Sequence, residues 1–157
     1  MYKQNTFLSA VVRLVFFSIL MLAISAWAQD NTRYDMGEYT VYYNVFNSTL
    51  ISADIATRYP LKRANNLAYL NVAVVKKTGG FGIPARVSGV YRNLMQQAFA
   101  LNFIEIHESP TSAFGGATYY IAPIRFDNEE VLHIDIELAL INSAETASFT
   151  VTKKFYR

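Results

Sequence analysis

The chain contains no cysteine, and this absence excludes several kinds of site at once. Without thiols the protein has no disulfide framework, no cysteine nucleophile and no thiolate metal site. The stability of its fold must therefore come from side-chain packing. The 11 tyrosines and 11 phenylalanines suit this requirement, because aromatic side chains bury large areas.

Charged residues are also scarce, at 17% of the chain, and the two signs nearly cancel. Lys3 and Arg13 belong to an N-terminal leader, and the remainder carries 12 basic and 12 acidic side chains. A balanced surface charge offers no electrostatic attraction for nucleic acid or for an anionic membrane. We therefore expect no nucleic-acid partner.

The N-terminal leader has the three parts of a secretory signal peptide. Basic Lys3 and Arg13 precede the apolar run LVFFSILMLAI, which is followed by the small residues of SAWAQD. This pattern predicts cleavage between Ala28 and Gln29. The 15 residues from Leu14 to Ala28 are too few for the roughly 20 that span a bilayer, so no membrane span is expected after cleavage.

The rest of the chain is predicted to be one exported, periplasmic domain over residues 29–157, preceded by the signal peptide over 1–28. Its length suits a single core, and no low-complexity tract or Pro/Gly-rich linker divides it. The location permits disulfides, yet none can form.

Most of this domain alternates apolar and polar residues with a period of two, and it is rich in β-branched and aromatic side chains. Short strands at this spacing favour an all-β, immunoglobulin-like antiparallel sandwich of about seven strands, with a small β-barrel as the alternative. Pro123 places its strand at an edge or a bulge, because proline lacks a backbone donor. The predicted strands are 38–47, 67–75, 85–94, 99–107, 117–126, 131–140 and 148–156.

The stretch FNSTLISADIATRYP, residues 46–60, departs from the period of two. Ser52 can cap a short helix with Asp54 in its first turn, between strands one and two, and we expect that helix to cover one open end of the sandwich. Asn47-Ser48-Thr49 fits the N-glycosylation pattern. The alternative interpretation is a strand end at which Asn47 and Ser48 satisfy backbone groups.

Two histidines are the only candidates for acid/base chemistry near neutral pH. His133 shares a strand face with Asp135 and Glu137, and His107 lies between Glu105 and Glu108. Neither set has a dedicated metal-ligand spacing, and alternating polar residues are typical of a solvated sheet face.

Other catalytic motifs are absent from the sequence. VSGVY around Ser88 lacks the first glycine of G-x-S-x-G, and KKTGGFG lacks the phosphate-binding spacing of a P-loop. We therefore predict no catalytic, cofactor-binding or metal-binding residue, and no enzyme.

With these residues in view, the chain resembles an exported bacterial family, the domain of unknown function 4426. The resemblance extends in order over nearly the whole mature chain and implies a periplasmic protein of Gram-negative bacteria. It implies no activity, cofactor or catalytic residue. Its segments are VYYNVFNSTLISADIATRYPL, LNVAV, RVSGVYRNLMQQ, LNFIEIHE, YYIAPI and NEEVLHIDIEL.

The function predicted from these observations is a non-enzymatic binding or interaction module for an envelope protein or a small ligand. Two alternatives remain open, namely a carrier of an apolar ligand inside a barrel and an enzyme that uses a histidine. The predicted interaction residues are Tyr42, Asn44, Phe46, Asn47, Ser48, Asp54, Arg86 and Arg92.

Overall fold

Two antiparallel sheets are packed face to face in the computed structural model, which describes residues 32–109, 116–141 and 143–157. The predicted signal peptide and its cleavage site between Ala28 and Gln29 lie outside these residues. In the described part of the chain, no helix is both long enough and apolar enough to cross a membrane.

One sheet has five strands in the order β1-β2-β3-β7-β6, and the other has four in the order β5-β4-β8-β9. A 3-10 helix, Ser48–Leu50, and the short helix α1, Ala53–Arg58, lie between β2 and β3. The strands are β1 Arg33–Met36, β2 Tyr39–Asn47, β3 Leu67–Lys76, β4 Ala85–Asn93, β5 Ala98–Ala100, β6 Ile104–His107, β7 Thr118–Arg125, β8 Val131–Leu140 and β9 Thr146–Lys154.

The inner faces of the two sheets form the core, as the alternation in the sequence predicted. In β8 every second residue is buried, while His133, Asp135 and Glu137 point outward. This arrangement confirms the two-layer antiparallel sandwich. The sheets do not close on each other, so the barrel alternative is wrong. The described residues therefore do not enclose the barrel cavity that the apolar-ligand carrier required.

The predicted strand 99–107 is wrong, because this stretch forms parts of two strands in different sheets. β5 pairs with β4, β6 pairs with β7, and residues 101–103 cross between the layers. At the crossing Leu101 is buried, and its amide donates to the Gly89 carbonyl at 2.9 Å. A run of alternating residues predicts strand conformation, but it does not predict with which other strand each part of the run pairs.

β1 was not predicted from the sequence, since RYDM has little β-branched or aromatic character. It pairs with β2 through a two-residue turn in which Gly37 has a φ of +53°, a conformation that favours glycine. Tyr34 stacks on Phe149 of β9 with ring centroids 4.8 Å apart. The aromatic pair thus closes the sandwich edge at which the two sheets end.

Pro123 lies where β7 has no neighbour on one side, which confirms the edge position expected for it. β6 pairs only with residues 118–121, so the later part of β7 is a free edge. Pro123 presents no N–H there, and the Arg125 amide donates to the Tyr91 hydroxyl at 3.4 Å. This edge is therefore closed to the addition of another strand.

The 48–66 segment packs on the outer face of the five-stranded sheet, and the expectation that α1 covers an open end of the sandwich is wrong. Ile51 and Leu61 are buried against Tyr69 and Ile121 of β3 and β7. These strand residues point away from the main core, and their side chains are apolar. A second, smaller core results, and it covers one half of this face.

Candidate functional site

The uncovered half of the outer face of the five-stranded sheet contains a hollow of about 440 Å³. We call it the tyrosine hollow. Its position follows from the chain path, because the 48–66 segment packs over one half of the sheet and leaves the other open. The hollow is lined by Thr32, Tyr42, Tyr43, Asn44, Asn71, Ala73, Val75 and Tyr119.

The strand register sets the geometry of the tyrosine hollow. Tyr42 of β2 is opposite Ala73 of β3, and Asn44 is opposite Asn71 two residues further along. Tyr119 of β7 precedes the residue paired with Val72, so it lies beside Ala73 on the same face. The small Ala73 side chain thus forms a floor between two tyrosines, with two amides at one end.

The lining of the tyrosine hollow is uncharged and has unused hydrogen-bonding groups. Tyr42 is 47% exposed. Within the described residues, the side chains of Tyr42, Asn44, Asn71 and Tyr119 make no hydrogen bond. Each amide offers two donor hydrogens and an acceptor oxygen, and each tyrosine offers a ring face and a hydroxyl. The hollow can therefore hold a neutral molecule that has both apolar faces and hydroxyl or amide groups.

Of the residues predicted as an interaction surface, the structure brings Tyr42 and Asn44 together in this hollow. Phe46 is on the same face but in the covered half, where its ring lies 6.5 Å from that of Tyr69. Sequence reasoning missed Asn71, Ala73 and Tyr119. A signal existed for the first two, since the period of two places residues 71 and 73 opposite the buried residues 70, 72 and 74.

Asn47 and Ser48 form hydrogen bonds with backbone groups, as the alternative interpretation of this stretch predicted. Ser48 is fully buried, and its hydroxyl both donates to the Ala64 carbonyl and accepts from the Ala64 amide, each at 2.9 Å. The Asn47 amide donates to the Tyr156 carbonyl at 3.1 Å. The Ser52 hydroxyl caps α1 as expected, and Asp54 is exposed in its first turn.

We expect Ser48→Ala to lower the free energy of unfolding by about 1–3 kcal/mol, because it leaves the Ala64 N–H without a partner, whereas the Ala64 C=O still accepts from the Leu67 amide. Chemical denaturation of a domain of residues 29–157 measures the loss. Thr49→Ala is the matched control, since Thr49 is exposed and its replacement also abolishes the Asn-x-Thr pattern. Equal stability of the two variants would contradict the architectural role of Ser48.

Arg86 and Arg92 are not part of the tyrosine hollow, because both lie on β4 in the other sheet. Arg92 forms an ion pair with Asp135, which also accepts from the Thr150 hydroxyl at 2.6 Å. Arg86 borders a separate hollow of about 320 Å³ beside Glu137. Of the predicted interaction residues, Tyr42 and Asn44 therefore lie on one outer face, and Arg86 and Arg92 lie on the other.

His107 is held between a carboxylate and a hydroxyl on the edge strand β6. Its Nε2 is 2.9 Å from Glu105 Oε1, and its Nδ1 is 3.1 Å from the Thr118 hydroxyl. This sequence of groups resembles a nucleophile, base and acid, but Thr118 is only 2% exposed and offers no attacking hydroxyl to a substrate. The Thr118 contact joins β6 to β7, and the Glu105 contact lies within β6.

The tyrosines near His107 have perturbed ionisation. Burial raises the pKa of Tyr120, whose hydroxyl accepts from the Ala85 amide at 2.7 Å and donates to Glu105. The pKa of Tyr59 is raised chiefly by its hydrogen bond to Glu108. Both shifts keep the phenols neutral, which suits donors that hold the edge strand and the 48–66 segment in place.

His133 belongs to the polar outer face of the four-stranded sheet. Its Nδ1 lies 2.9 Å from the Thr152 hydroxyl of β9. Throughout the described ranges, no group of three or more His, Asp or Glu side chains is arranged to hold a metal ion. The Thr118 and Thr152 contacts of the two histidines are thus cross-strand pairs, and the Glu105 contact of His107 lies within β6.

Comparison with known proteins gives a family and a fold. The model of the domain of unknown function DUF4426 matches residues 33–157. The crystal structure of a DUF4426 family protein from Pseudomonas aeruginosa PAO1 is similar, with a TM-score of 0.66 and 25% sequence identity. The similarity covers 79% of this chain and 93% of that one. No curated protein matches the chain.

Proposed function

The chain belongs to the DUF4426 family, a domain of unknown function, and we propose that it is a non-enzymatic periplasmic protein that binds an uncharged saccharide in the tyrosine hollow. The leader sequence supports the periplasmic location. The carrying observation is the hollow itself, whose uncharged lining combines tyrosine rings with unpaired amide side chains.

The chemistry of a sugar ring matches this lining. Its C–H groups give it apolar faces that pack on aromatic rings, and its hydroxyls donate and accept hydrogen bonds at its rim. Tyr42 and Tyr119 on either side of the small Ala73 supply the packing surfaces. Asn44 and Asn71, side by side in the register, supply both donors and acceptors. A binding site of this kind is largely pre-formed, because every lining strand is fixed in the sheet.

The absence of charge in the lining decides between ligand classes. No Lys, Arg, Asp or Glu lines the hollow, and Arg33, which is paired with Tyr42 on β1, lies outside the lining, so an ionic ligand in the hollow would lose hydration without a counter-charge in contact. An apolar ligand, in contrast, would leave the amides of Asn44 and Asn71 desolvated and unpaired. A neutral polyhydroxy ligand avoids both costs.

The test is an amide NMR titration of the ¹⁵N-labelled mature domain with triacetylchitotriose and maltotriose. We expect one of these sugars to shift amide resonances of β2 and β3 around residues 42–44 and 71–73. The double variant Tyr42→Ala, Tyr119→Ala should weaken binding at least tenfold, because both packing surfaces are lost. Asn71→Ala should weaken it less.

Tyr156→Ala is the control, since this tyrosine is 55% exposed and lies outside the hollow. It should leave the titration unchanged. Thermal unfolding verifies that the double variant remains folded. If neither sugar shifts the amide resonances of the hollow, or if the double variant binds as tightly as the wild type, the proposal fails. An apolar protein segment as occupant would give the first of these results.

A further inference from the structure

We propose a second binding site, for a small organic carboxylate, in a cleft at the free edge of β7. We call it the edge cleft. It has a volume of about 360 Å³ and lies where the 48–66 segment, β7 and the chain crossing from β5 to β6 meet. It shares no lining residue with the tyrosine hollow. The inference is therefore independent of the function proposed above.

The charge of the edge cleft is the first argument. Lys62 and Arg125 are the charged residues of its lining, and no acid accompanies them. Within the described residues neither the Lys62 ammonium nor the Arg125 guanidinium has a hydrogen-bond or ion-pair partner. Arg92, in contrast, is paired with Asp135. Two unpaired cations on one concave surface create a positive potential that an anion lowers.

The backbone of each cation is fixed by a buried tyrosine, which is the second argument. The Tyr69 hydroxyl donates to the Lys62 carbonyl at 3.0 Å, and the Tyr91 hydroxyl accepts from the Arg125 amide at 3.4 Å. These tyrosines are 3% and 7% exposed. The two cations therefore extend from anchored backbone, and binding an anion orders their side chains but no additional backbone.

The remaining lining indicates a carboxylate with a short apolar body. Leu61 and Leu67 are buried at the base of the cleft, and Ile104 is 50% exposed at its side. Asn102 adds an amide that can donate to an oxygen of the ligand. A guanidinium binds a carboxylate through two parallel hydrogen bonds, which assigns Arg125 the main contact and Lys62 the role of a point charge.

The free edge of β7 also argues for a small ligand over an extended peptide. A peptide that adds to a sheet edge needs the backbone donors of that edge. Pro123 has none, and the Arg125 amide is already bonded to Tyr91. The cleft thus offers side chains and apolar surface to a ligand, but no strand ladder.

The test is an amide NMR titration of the ¹⁵N-labelled mature domain with hexanoate and benzoate. The neutral amides hexanamide and benzamide serve as matched probes without charge, and inorganic phosphate serves as a second anion. We expect both carboxylates to shift the amides of Leu61, Lys62, Asn102 and Arg125 in a saturable manner. The neutral amides and phosphate should shift them at least tenfold less at equal concentration.

The variants separate this site from other surface cations. Arg125→Gln should weaken carboxylate binding at least tenfold and Lys62→Gln several-fold, because each removes a charge and keeps a polar side chain. Arg86→Gln, on the outer face of the other sheet, is the control and should bind as the wild type does. All three positions are exposed, so the variants should unfold at the wild-type temperature.

Three results would overturn the proposal. Hexanamide shifts equal to those of hexanoate would show that charge plays no part. Phosphate binding equal to carboxylate binding would show a general anion effect. Unchanged binding by Arg125→Gln would place the carboxylate elsewhere. These three results do not depend on the saccharide titration of the tyrosine hollow, so each proposal can be disproved without affecting the other.

Discussion

Replacing Phe155 by alanine is expected to lower the free energy of unfolding by about 3–5 kcal/mol, the largest effect of any substitution considered for this protein. Phe155 follows β9 near the end of the chain, yet it is only 1% exposed. Its ring stacks on Phe126 with centroids 4.7 Å apart, and its amide donates to the Glu130 carbonyl at 2.8 Å. Alanine leaves a cavity between the sheets that the surrounding strands can fill only in part.

Urea denaturation followed by far-UV circular dichroism of a domain of residues 29–157 measures this loss, since these residues contain no tryptophan to serve as a probe. The midpoint of thermal unfolding should fall by roughly 10–20 °C. Tyr156→Ala is the control at the next position, where the side chain is 55% exposed, and it should change stability by less than about 1 kcal/mol, because its ring contacts the exposed Lys154 ammonium. A Phe155→Ala domain within 1 kcal/mol of the wild type would show that the C-terminal residues do not contribute to the core.

Replacing Gly89 by alanine is the second large effect, with an expected loss of about 3 kcal/mol or more. A Cβ atom at this position would lie 2.3 Å from the Asp135 carbonyl oxygen and 3.0 Å from Leu101 Cδ1. The first contact is with backbone, so relief requires β4 and β8 to separate locally. Leu101 is buried at the point where the chain crosses between the sheets, and its amide donates to the Gly89 carbonyl.

The matched control for this substitution is Ser88→Ala, because Ser88 is the preceding residue on the same strand and points outward. It should remain within about 0.5 kcal/mol of the wild type. Equal stability of Gly89→Ala and Ser88→Ala would mean that the strands accommodate the methyl group without strain. The substitution also tests the crossing itself, since loosening it should increase hydrogen exchange at the Leu101 amide.

The sequence indicated part of the candidate site, and the missing part shows what local pattern cannot supply. Tyr42 and Asn44 were identified from alternation within one strand. Asn71 and Tyr119 lie far away along the chain and reach the same hollow only through the pairing of β3 with β2 and β7. Arg86 and Arg92 satisfied the same local criteria, but their strand belongs to the other sheet. A face of one strand becomes a site only when its neighbours are known.

The segment from Phe46 to Pro60 divides in the same way. Its local chemistry followed from the residues, since Ser52 caps α1 and Asp54 occupies the first turn. The surface on which the segment packs did not follow from its residues. Ile51 and Leu61 could have packed on any apolar surface of suitable size, and the outer face of the five-stranded sheet offered Tyr69 and Ile121. Because this packing covers half of the face, it also defines where the tyrosine hollow begins.

The sequence by itself thus determined the all-β class, the inward and outward faces of most strands, the cap of α1 and the edge position of Pro123. Each depends on the chemistry of residues close together in the chain. Only the tertiary structure decided the division of residues 99–107 between two sheets, the surface on which the 48–66 segment packs and the lining of both candidate sites. These depend on which strands pair and in which register, and that choice is made by contacts between distant residues across the whole core.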